Sequence, residues 1–350
     1  MSEEFNFDKA LDSARLLIEV GLKPAQGDRF QPTGFPDIGA AEYQRPDGVK
    51  MVLVESAQSM GNRLELTIIN SNGYDVIDDL KGLSYVVSKL TIKDQEESKF
   101  TSSLIEAHRI NSPYIISDKT FKENLKKEAS YSKGQPINWK KVAKAIFKYD
   151  VNSLIHGLFM ANLEDGRMKI PRILSSFIEA QDVKDVSTGG VKINPIDPTG
   201  NLRTDQIEGN VYGNVPYHRT EYTAKRIVAY FNIDTSLLKS YELKKEESRL
   251  ILDLCIYKIR KFLNSSLRLR TACDFKVVGE VSCLNADGTS FDLPDEQSIL
   301  KSLKNSIMRC KGSFNPDPVT NLSVSTKWKE EGRNNANKVP DTSEPDSDDS

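Results

Sequence analysis

Residues 27–63 are the stretch that most constrains the fold, because they predict a loop, a buried strand and a helix in immediate succession. The loop is rich in glycine, proline and polar residues. It leads into residues 51–54, a short apolar run with β-branched residues that is typical of a strand buried on both faces. Ser56 follows at once, before apolar residues at helical spacing. The first backbone N–H groups of such a helix have no partner within it, so this junction favours the binding of an anion.

Hydrogen-bond donors and an aromatic residue surround this predicted helix start. Donors for phosphate beside flat aromatic faces suit a single-stranded nucleic acid, which exposes both its backbone and its bases. An ordinary loop and strand followed by a capped helix would contain the same residues. On the nucleic-acid interpretation, the candidate RNA-binding residues of this stretch are Arg29, Phe30, Gln31, Thr33, Ser56, Gln58, Ser59, Asn62 and Arg63.

The same stretch carries a resemblance to a known protein family. RFQPTGFPDIGAA followed by LVESAQSMGNRLE resembles the backbone subunit of a type I CRISPR effector (Cascade) complex of subtype I-G, formerly I-U, in the repeat-associated RNA-binding (RAMP) superfamily. Further similar segments follow in order over most of the chain, namely SSLIEAHRINSPYI, IHGLFMA, PRILSSFIEA, GNVPYHRTEYTA and LRLRTACD.

The resemblance implies an α+β protein with an RRM-like (ferredoxin-like) core, large insertions and no catalytic residues. Several copies are expected to assemble along one CRISPR RNA (crRNA) as a helical homo-oligomer. They would grip its phosphates and leave its bases free to pair with target DNA, in antiviral defence. The other partners that it implies are a large subunit, an end-capping or processing subunit and a recruited helicase-nuclease. No cofactor and no metal are expected.

The composition is that of a soluble globular protein, since 38% of the 350 residues are hydrophobic and 28% are charged. No secretory signal opens the sequence, and no apolar run approaches the ~18–20 residues needed to cross a bilayer. We therefore expect a cytoplasmic protein without a membrane partner. The four cysteines form no C-x-x-C pair and lie far in sequence from the histidines. We predict no zinc site, and reduced cysteines at least partly in the core.

The net charge of −2 conceals clusters of opposite sign. Residues 329–350 hold seven acids and three bases, which predicts a disordered acidic tail after a domain of residues 1–328. Residues 99–150 hold eleven bases against five acids and are interpreted as a basic helical insertion. Residues 239–270 hold nine bases against four acids. Clustered basic charge favours binding of a polyanion, although solvated helix faces would give the same counts.

Residues 102–180 are predicted to form a short helix and then a hairpin. Ser103 and Glu106 have the spacing of a capping box, for a helix that would end near residue 111. Residues 151–162 are an apolar run, interpreted as a buried strand that pairs with residues 168–180. A histidine on such a strand is more often a core residue than a ligand. The candidate RNA-binding residues here are His108, Arg109, His156, Arg172, Ser175 and Ser176.

Residues 181–215 are predicted to be a long loop, because glycine and proline are frequent and large apolar residues are few. Such a loop in a compact domain is usually functional, and the resemblance makes it the candidate finger or thumb that touches the neighbouring subunit and the RNA. A disordered insertion would have a similar composition. Residues 227–233 predict a strand, residues 245–263 a helix and residues 267–277 a half-buried strand with a mostly basic open face, and this order fits half of a βαββαβ core. The candidate RNA-binding residues here are His218, Arg219, Arg268 and Arg270.

The sequence contains no P-loop, dinucleotide-binding, H-E-x-x-H or G-x-S-x-G motif. The alternative function is a metal-independent endoribonuclease that processes precursor CRISPR RNA, with His108, His156 or His218 as acid or base. Related backbone subunits of another CRISPR type cut target RNA with an aspartate. Asp37 is the acid in the matched loop here, and we interpret it as capping a turn after Pro36. A weaker alternative is an enzyme that acts on a small phosphate-bearing substrate.

Overall fold

The structure is a computed structural model that describes residues 5–35, 38–93, 98–202 and 213–326. Asp37 and the predicted acidic tail, residues 329–350, lie outside the described residues. The described residues form an α+β fold, as predicted, in which mostly antiparallel sheets are packed against helices.

Helices and strands alternate irregularly along the described residues. The α-helices are α1 (Phe7–Asp12), α2 (Ala57–Leu66), α3 (Pro113–Ile116), α4 (Lys119–Ala129), α5 (Trp139–Tyr149), α6 (Val151–His156), α7 (Thr235–Ser240), α8 (Lys245–Leu263) and α9 (Glu296–Cys310). The strands are β1 (Leu16–Pro24), β2 (Gly34–Phe35), β3 (Gly39–Ala40), β4 (Glu42–Gln44), β5 (Lys50–Glu55), β6 (Tyr85–Ile92), β7 (Lys99–Ser102), β8 (Leu158–Phe159), β9 (Lys169–Ile170), β10 (Leu174–Lys192), β11 (Val215–Ile233), β12 (Arg268–Arg270), β13 (Cys273–Val277), β14 (Ser282–Asn285) and β15 (Val319–Thr326).

The largest sheet has the strand order β12–β13–β1–β11–β10–β5–β4, and β14 also pairs with β1. β1 runs antiparallel to β11 on one side and to β13 and β14 on the other. Ile18 and Val20 of β1 are buried, whereas the alternate residues Leu17 and Glu19 are exposed. This period of two places the core on one face of the sheet, where helices α2, α6 and α8 pack.

β5 and α2 form where the sequence predicts them. Val52 and Val54 of β5 are fully buried. Ser56 is the N-cap residue of α2, and its hydroxyl oxygen accepts the amide of Ser59 at 3.2 Å. The first turn of α2 therefore lies at the end of β5, a strand that pairs with β10 and β4.

The predicted helix of residues 245–263 is confirmed as α8, which packs against α9 and β11. The prediction for the cysteines is also confirmed, since all four are buried and none forms a disulfide. None of the helices within the described ranges combines the length and the apolar character needed to cross a membrane.

β10 and β11 form a hairpin of two 19-residue strands, so the prediction of a loop from residue 181 is wrong. A Cβ atom on Gly189 would lie 2.7 Å from the Tyr217 carbonyl oxygen. Glycine therefore permits close packing of the strands here and does not mark a turn. The seven residue pairs from Val186↔Glu221 to Lys192↔Val215 pair with no other described strand. They extend the hairpin by about 20 Å beyond the sheet.

The helix predicted after Ser103 is wrong. β7 ends at Ser102, and a single 3₁₀ turn over Arg109–Asn111 follows. Glu106 caps no helix, because its carboxylate accepts the hydroxyls of Thr101 and Ser112, the latter at 2.8 Å. Ser112 is instead the N-cap residue of α3. Contacts with neighbouring segments have replaced the predicted capping box.

The strand predicted over residues 151–162 is also wrong, because α6 occupies its first half. The buried carboxylate of Asp150 caps α6 and accepts the amides of Asn152 and Ser153 at 3.0 and 3.3 Å. A short buried apolar run is compatible with either structure, and the cap decides between them. The hairpin that follows is β8–β9, in which Phe159 pairs with Lys169.

The strand predicted over residues 267–277 is divided in two. Ala272, with a φ of +56°, lies in the turn that separates β12 from β13. Arg268 and Arg270 therefore lie on β12, at one end of the sheet order.

Candidate nucleic-acid interface

Helix α2 begins among polar side chains, as predicted. Ser56 caps one amide of its first turn, while the amides of Ala57 and Gln58 have no acceptor within the helix. Arg172 lies across this turn. Its Nη1 donates to the Ala57 carbonyl at 3.1 Å and its Nη2 donates to Gln58 Oε1. Both acceptors are neutral, so they fix the guanidinium without cancelling its charge.

Two predicted RNA-binding arginines, Arg63 and Arg270, are bound to one buried carboxylate. Glu55 is fully buried, accepts Arg63 Nε at 2.8 Å and also contacts Arg270 Nη2. Ser59 Oγ donates to the same carboxylate. We call these four residues the Glu55 cluster. Arg270 Nη1 donates to the Gln31 carbonyl at 3.1 Å as well, so the cluster ties α2 to the preceding loop and to β12.

Phe30 does not offer a face to a base, contrary to the prediction. It is fully buried between Tyr222 and Phe275, whose ring centroids lie 6.4 and 5.8 Å away. Gln31 and Thr33 are half-buried, and their amides donate at 2.8 and 3.0 Å to carbonyls of the β12–β13 turn and of β5. This part of the loop is held as core structure.

A cavity of about 650 Å³, which we call the loop cavity, lies beside these residues. The buried carboxylate of Glu221 lies 3.4 Å from Arg29 Nη1 and accepts Arg219 Nε at 2.9 Å. Asp28 and Asp274 also line the cavity. Its two arginines therefore face three carboxylates, and the loop cavity has no excess of positive charge.

A second cavity, of about 370 Å³, lies between residues 107–109 and the β8–β9 hairpin, and we call it the β8–β9 cleft. It brings together four predicted residues from distant segments, His108, Arg109, His156 and Arg172. No aspartate or glutamate of the described residues lines it. The other lining residues are Ala107, Gly157, Leu158, Phe159, Lys169, Ile170 and Pro171.

Phe159 and Lys169 are members of the cleft that the sequence analysis missed. Phe159 is 48% exposed, and Lys169 Nζ lies 4.9 Å from its ring centroid. No ion pair joins Lys169 or Arg172 to a carboxylate within the part of the chain that the structure describes. Phe159 lies in the matched segment IHGLFMA and Lys169 lies in its predicted hairpin partner, residues 168–180, but neither was named as a site residue.

A buried polar network lies behind the cleft. Arg109 donates to both carboxylate oxygens of Glu65, at 2.8 and 3.0 Å, and to the Gly157 carbonyl at 2.9 Å. Asn152 donates to Glu65 at 3.1 Å and accepts a hydrogen bond from Lys258. Arg109 is therefore neutralised, and its role is to hold α2, the 3₁₀ turn and Gly157 together.

His156 joins this network to the cleft and is only 1% exposed. Its Nε2 lies 2.8 Å from Lys258 Nζ. Burial lowers the pKa of Lys258 to about 8, while burial and nearby cations hold the pKa of His156 well below its usual value. At neutral pH the ammonium of Lys258 therefore donates to a neutral imidazole, and Nδ1 carries the proton. This Nδ1–H has no partner among the described residues, and an unpaired buried donor costs about 1–3 kcal/mol.

The remaining predicted residues lie apart from the cleft. Asn62 is exposed on α2, and Ser175 is half-buried on β10 beside the buried Ser176. His218 is exposed on β11, opposite Gly189. Arg268 is exposed and lies 3.7 Å from Asp274. Over the described ranges, no group of His, Cys, Asp and Glu residues is arranged to hold a metal ion.

Residues 16–185 match the model of a protein family described as CRISPR-associated protein GSU0053. The match confirms the resemblance to CRISPR-associated proteins that the sequence motifs indicate. It extends from β1 into β10 and includes α2, the β8–β9 hairpin and every residue that lines the β8–β9 cleft. No curated protein matches the chain.

The solved structures that contain similar chains include the following two. One is described as a CRISPR RNA-guided surveillance complex, pre-nicking, with 10% identity and a TM-score of 0.42 over 85% of this chain and 89% of that chain. The other is Csc2 of Thermofilum pendens, with 10% identity and a TM-score of 0.28 over 85% of this chain and 76% of that chain. Both TM-scores lie below 0.5, so neither likeness indicates a function for this chain.

Proposed function

We propose that this chain, which matches the CRISPR-associated family over residues 16–185, is a crRNA-binding backbone subunit of a type I interference (Cascade) complex. Copies assemble along one CRISPR RNA in the cytoplasm and present its bases to target DNA. The large subunit, the end-capping or processing subunit and the recruited helicase-nuclease are partners in the same proposal. The chain itself breaks no bond.

The observation that carries the proposal is the unpaired positive charge of the β8–β9 cleft. Arg172 and Lys169 have no carboxylate partner among the described residues, and the free amides at the start of α2 lie beside Arg172. A site of this kind binds a phosphate backbone whatever its sequence, and its affinity falls with salt. That behaviour suits a subunit that must hold many different guides.

The central sheet supports an RRM-like core as part of the proposal. β1, β10, β11 and β13 lie side by side in the order β13–β1–β11–β10, each antiparallel to its neighbour. Counted along the chain, this is the order 4-1-3-2 of a βαββαβ unit, with α8 in the second crossover. The first crossover then contains the insertions, among them the basic segment 99–150.

The β10–β11 hairpin supports assembly of copies. Its outer part exposes apolar side chains, among them Ile193 and Ile196, which are 67% and 84% exposed. Apolar residues grouped on a projecting arm mark an interaction site. We assign this arm to contact with the next copy, as the finger or thumb of the assembly.

The arm is tested with the double variant Ile193→Asp and Ile196→Asp. RNA-bound protein should then sediment as single copies, because a buried carboxylate opposes the contact. Met308→Asp is the matched control, since Met308 is also 67% exposed but lies on α9. Long particles of the double variant would contradict the assignment.

Coexpression with a CRISPR array transcript tests the function itself. The purified protein should carry RNA, release it at high salt and form elongated particles in electron micrographs. Protein that stays free of RNA at low ionic strength would contradict the proposal.

The endoribonuclease alternative is favoured by one observation, because His108 and His156 line the same cleft. Incubation with precursor transcript separates the two functions. Cleavage that is lost in His108→Ala would establish the nuclease. Binding without cleavage supports the scaffold.

A further inference from the structure

The size of the β8–β9 cleft limits what it can hold. Its volume of about 370 Å³ is at the lower end of the range for pockets that enclose small ligands. One nucleotide, and not a base pair or a folded segment, is of the right order for this space.

One side of the cleft is built for an anion. Arg172 is held by two neutral acceptors at the first turn of α2, and Lys169 faces it without a carboxylate partner in the described ranges. The unpaired Nδ1–H of His156 is a third donor in the lining, from a side chain that is 1% exposed. Lys258 fixes the tautomer that provides this donor, since its ammonium donates to the other ring nitrogen.

The other side of the cleft is aromatic. Phe159 is 48% exposed at the end of β8, whereas Leu158 of the same strand is buried. Lys169 covers the ring at 4.9 Å. A lysine side chain is flexible, so it can move from the ring to a phosphate and leave the ring free for a base.

We propose that the β8–β9 cleft takes a single nucleotide of the bound RNA, with its phosphate on Lys169, Arg172 and His156 Nδ1–H and its base stacked on Phe159. The inference rests on the proposed function and goes beyond it, because it names the contact at which the strand is anchored. Stacking is tolerant of base identity, so one such pocket per subunit grips any guide.

Substitution of the aromatic ring tests the base half. Phe159→Ala should weaken binding of a labelled single-stranded RNA of mixed sequence about 5- to 100-fold, and Phe159→Trp should restore it. Phe100→Ala is the matched control, because Phe100 is 47% exposed on β7 of the other sheet. Equal affinity of the wild type and Phe159→Ala would overturn the stacking contact.

The salt dependence of binding tests the phosphate half. Lys169→Gln should reduce the slope of log Kd against log salt by about 0.7, the contribution of one phosphate contact to a single strand. Lys81→Gln, at an exposed lysine paired with Asp78, should leave the slope unchanged. Equal slopes for Lys169→Gln and the wild type would overturn the phosphate contact.

Histidine-selective ¹⁵N labelling gives a readout that a merely structural role would not move. The chain has three histidines, so their ring signals can be assigned by single substitutions. RNA should shift the Nδ1 signal of His156. Unchanged His156 signals in the RNA-bound protein would show that His156 does not contact the RNA.

Crosslinking separates failure of the pocket from failure of the function. RNA that contains 5-iodouridine should crosslink to Phe159, because this base reacts with aromatic side chains that it contacts. Bound RNA that crosslinks only elsewhere would overturn the pocket and leave the backbone function standing. Wild-type protein that binds no RNA at low salt would overturn both.

Discussion

The Glu55 cluster and the β8–β9 cleft contain similar residues in opposite arrangements. In the Glu55 cluster a buried carboxylate lies between Arg63 and Arg270 and accounts for both cations. Behind the cleft a buried ammonium, Lys258, donates to two neutral groups, Asn152 and His156. The first arrangement uses arginine to hold the fold together, and the second leaves the Nδ1–H of His156, a residue that lines the cleft, without a partner among the described residues. An arginine is therefore available to a phosphate only where no carboxylate has taken it.

The same distinction applies to the basic segment 99–150. Lys126, Lys140 and Lys148 pair with Glu164, Glu242 and Glu128. Two of these partners come from outside the segment, so its charge count overstates the cations that remain for RNA. Pairing in space, and not the count along the sequence, decides which surface is basic.

The largest effect is expected from Glu55→Ala. The substitution leaves two arginines without their carboxylate, and the free energy of unfolding should fall by about 3–5 kcal/mol. Urea denaturation measures the loss. Glu128→Ala, which breaks a half-exposed pair with Lys148, should cost less than about 1 kcal/mol. Similar losses of unfolding free energy in Glu55→Ala and Glu128→Ala would contradict the distinction between buried and half-exposed ion pairs.

Lys258→Met should behave in the opposite way. Near pH 7 it is expected to change the free energy of unfolding by less than about 1 kcal/mol, because removing a buried charge offsets two lost hydrogen bonds. The folded-state pKa of about 8 lies below the usual 10.5, so between these values the unfolded chain binds more protons. Wild-type stability should therefore gain about 3 kcal/mol relative to the variant as pH rises through this window.

This pH-dependent difference also checks the tautomer of His156. Below pH 8 the ammonium is charged in both states, and the groups around it are Glu65, Arg109 and Asp150 as well as His156. Paired urea titrations of wild type and Lys258→Met measure the difference. A difference that already rises below pH 7 would show that buried Lys258 is neutral there, and the assignment of the His156 proton to Nδ1 would lose its cause.

The smallest effect is expected from Glu221→Gln. It releases Arg29 and Arg219 from their carboxylate, so RNA affinity at low salt should rise by about 1 kcal/mol if the strand passes the loop cavity. Titration of labelled RNA measures the change. Unchanged RNA affinity of Glu221→Gln would show that the bound strand does not pass the loop cavity. The β8–β9 cleft would then be the candidate RNA-binding site.

Local signals explain which elements were predictable. Ser56 before α2 and the apolar face of α8 are readable because the interacting residues lie within a few positions of each other. The Glu55 cluster is not readable in this way. Arg63, for example, also donates to the Leu269 carbonyl, 206 positions away. Phe30 was misassigned for the same reason, since the rings that bury it come from β11 and β13.

The cleft was predicted in part. Four of its residues were named from the sequence and a hairpin was predicted, but its first arm was made too long because residues 151–162 read as one apolar run. Gly157 divides that run, since its φ of +82° ends α6 and starts β8. A Cβ at this position would also lie 3.0 Å from the Ile170 carbonyl oxygen. With the Asp150 cap that starts α6, this glycine is a sequence signal that separates the helix from the hairpin.

β10 begins two residues after Arg172 and continues without interruption to Lys192, near the tip of the projecting arm. The strand pairs with β11 on both sides of Asp182, which has a φ of +53° and no paired residue opposite it. The arm and Arg172 of the cleft are therefore joined by a single strand and the two residues before it, so the proposed contact between copies and the proposed nucleotide pocket share one continuous segment of backbone.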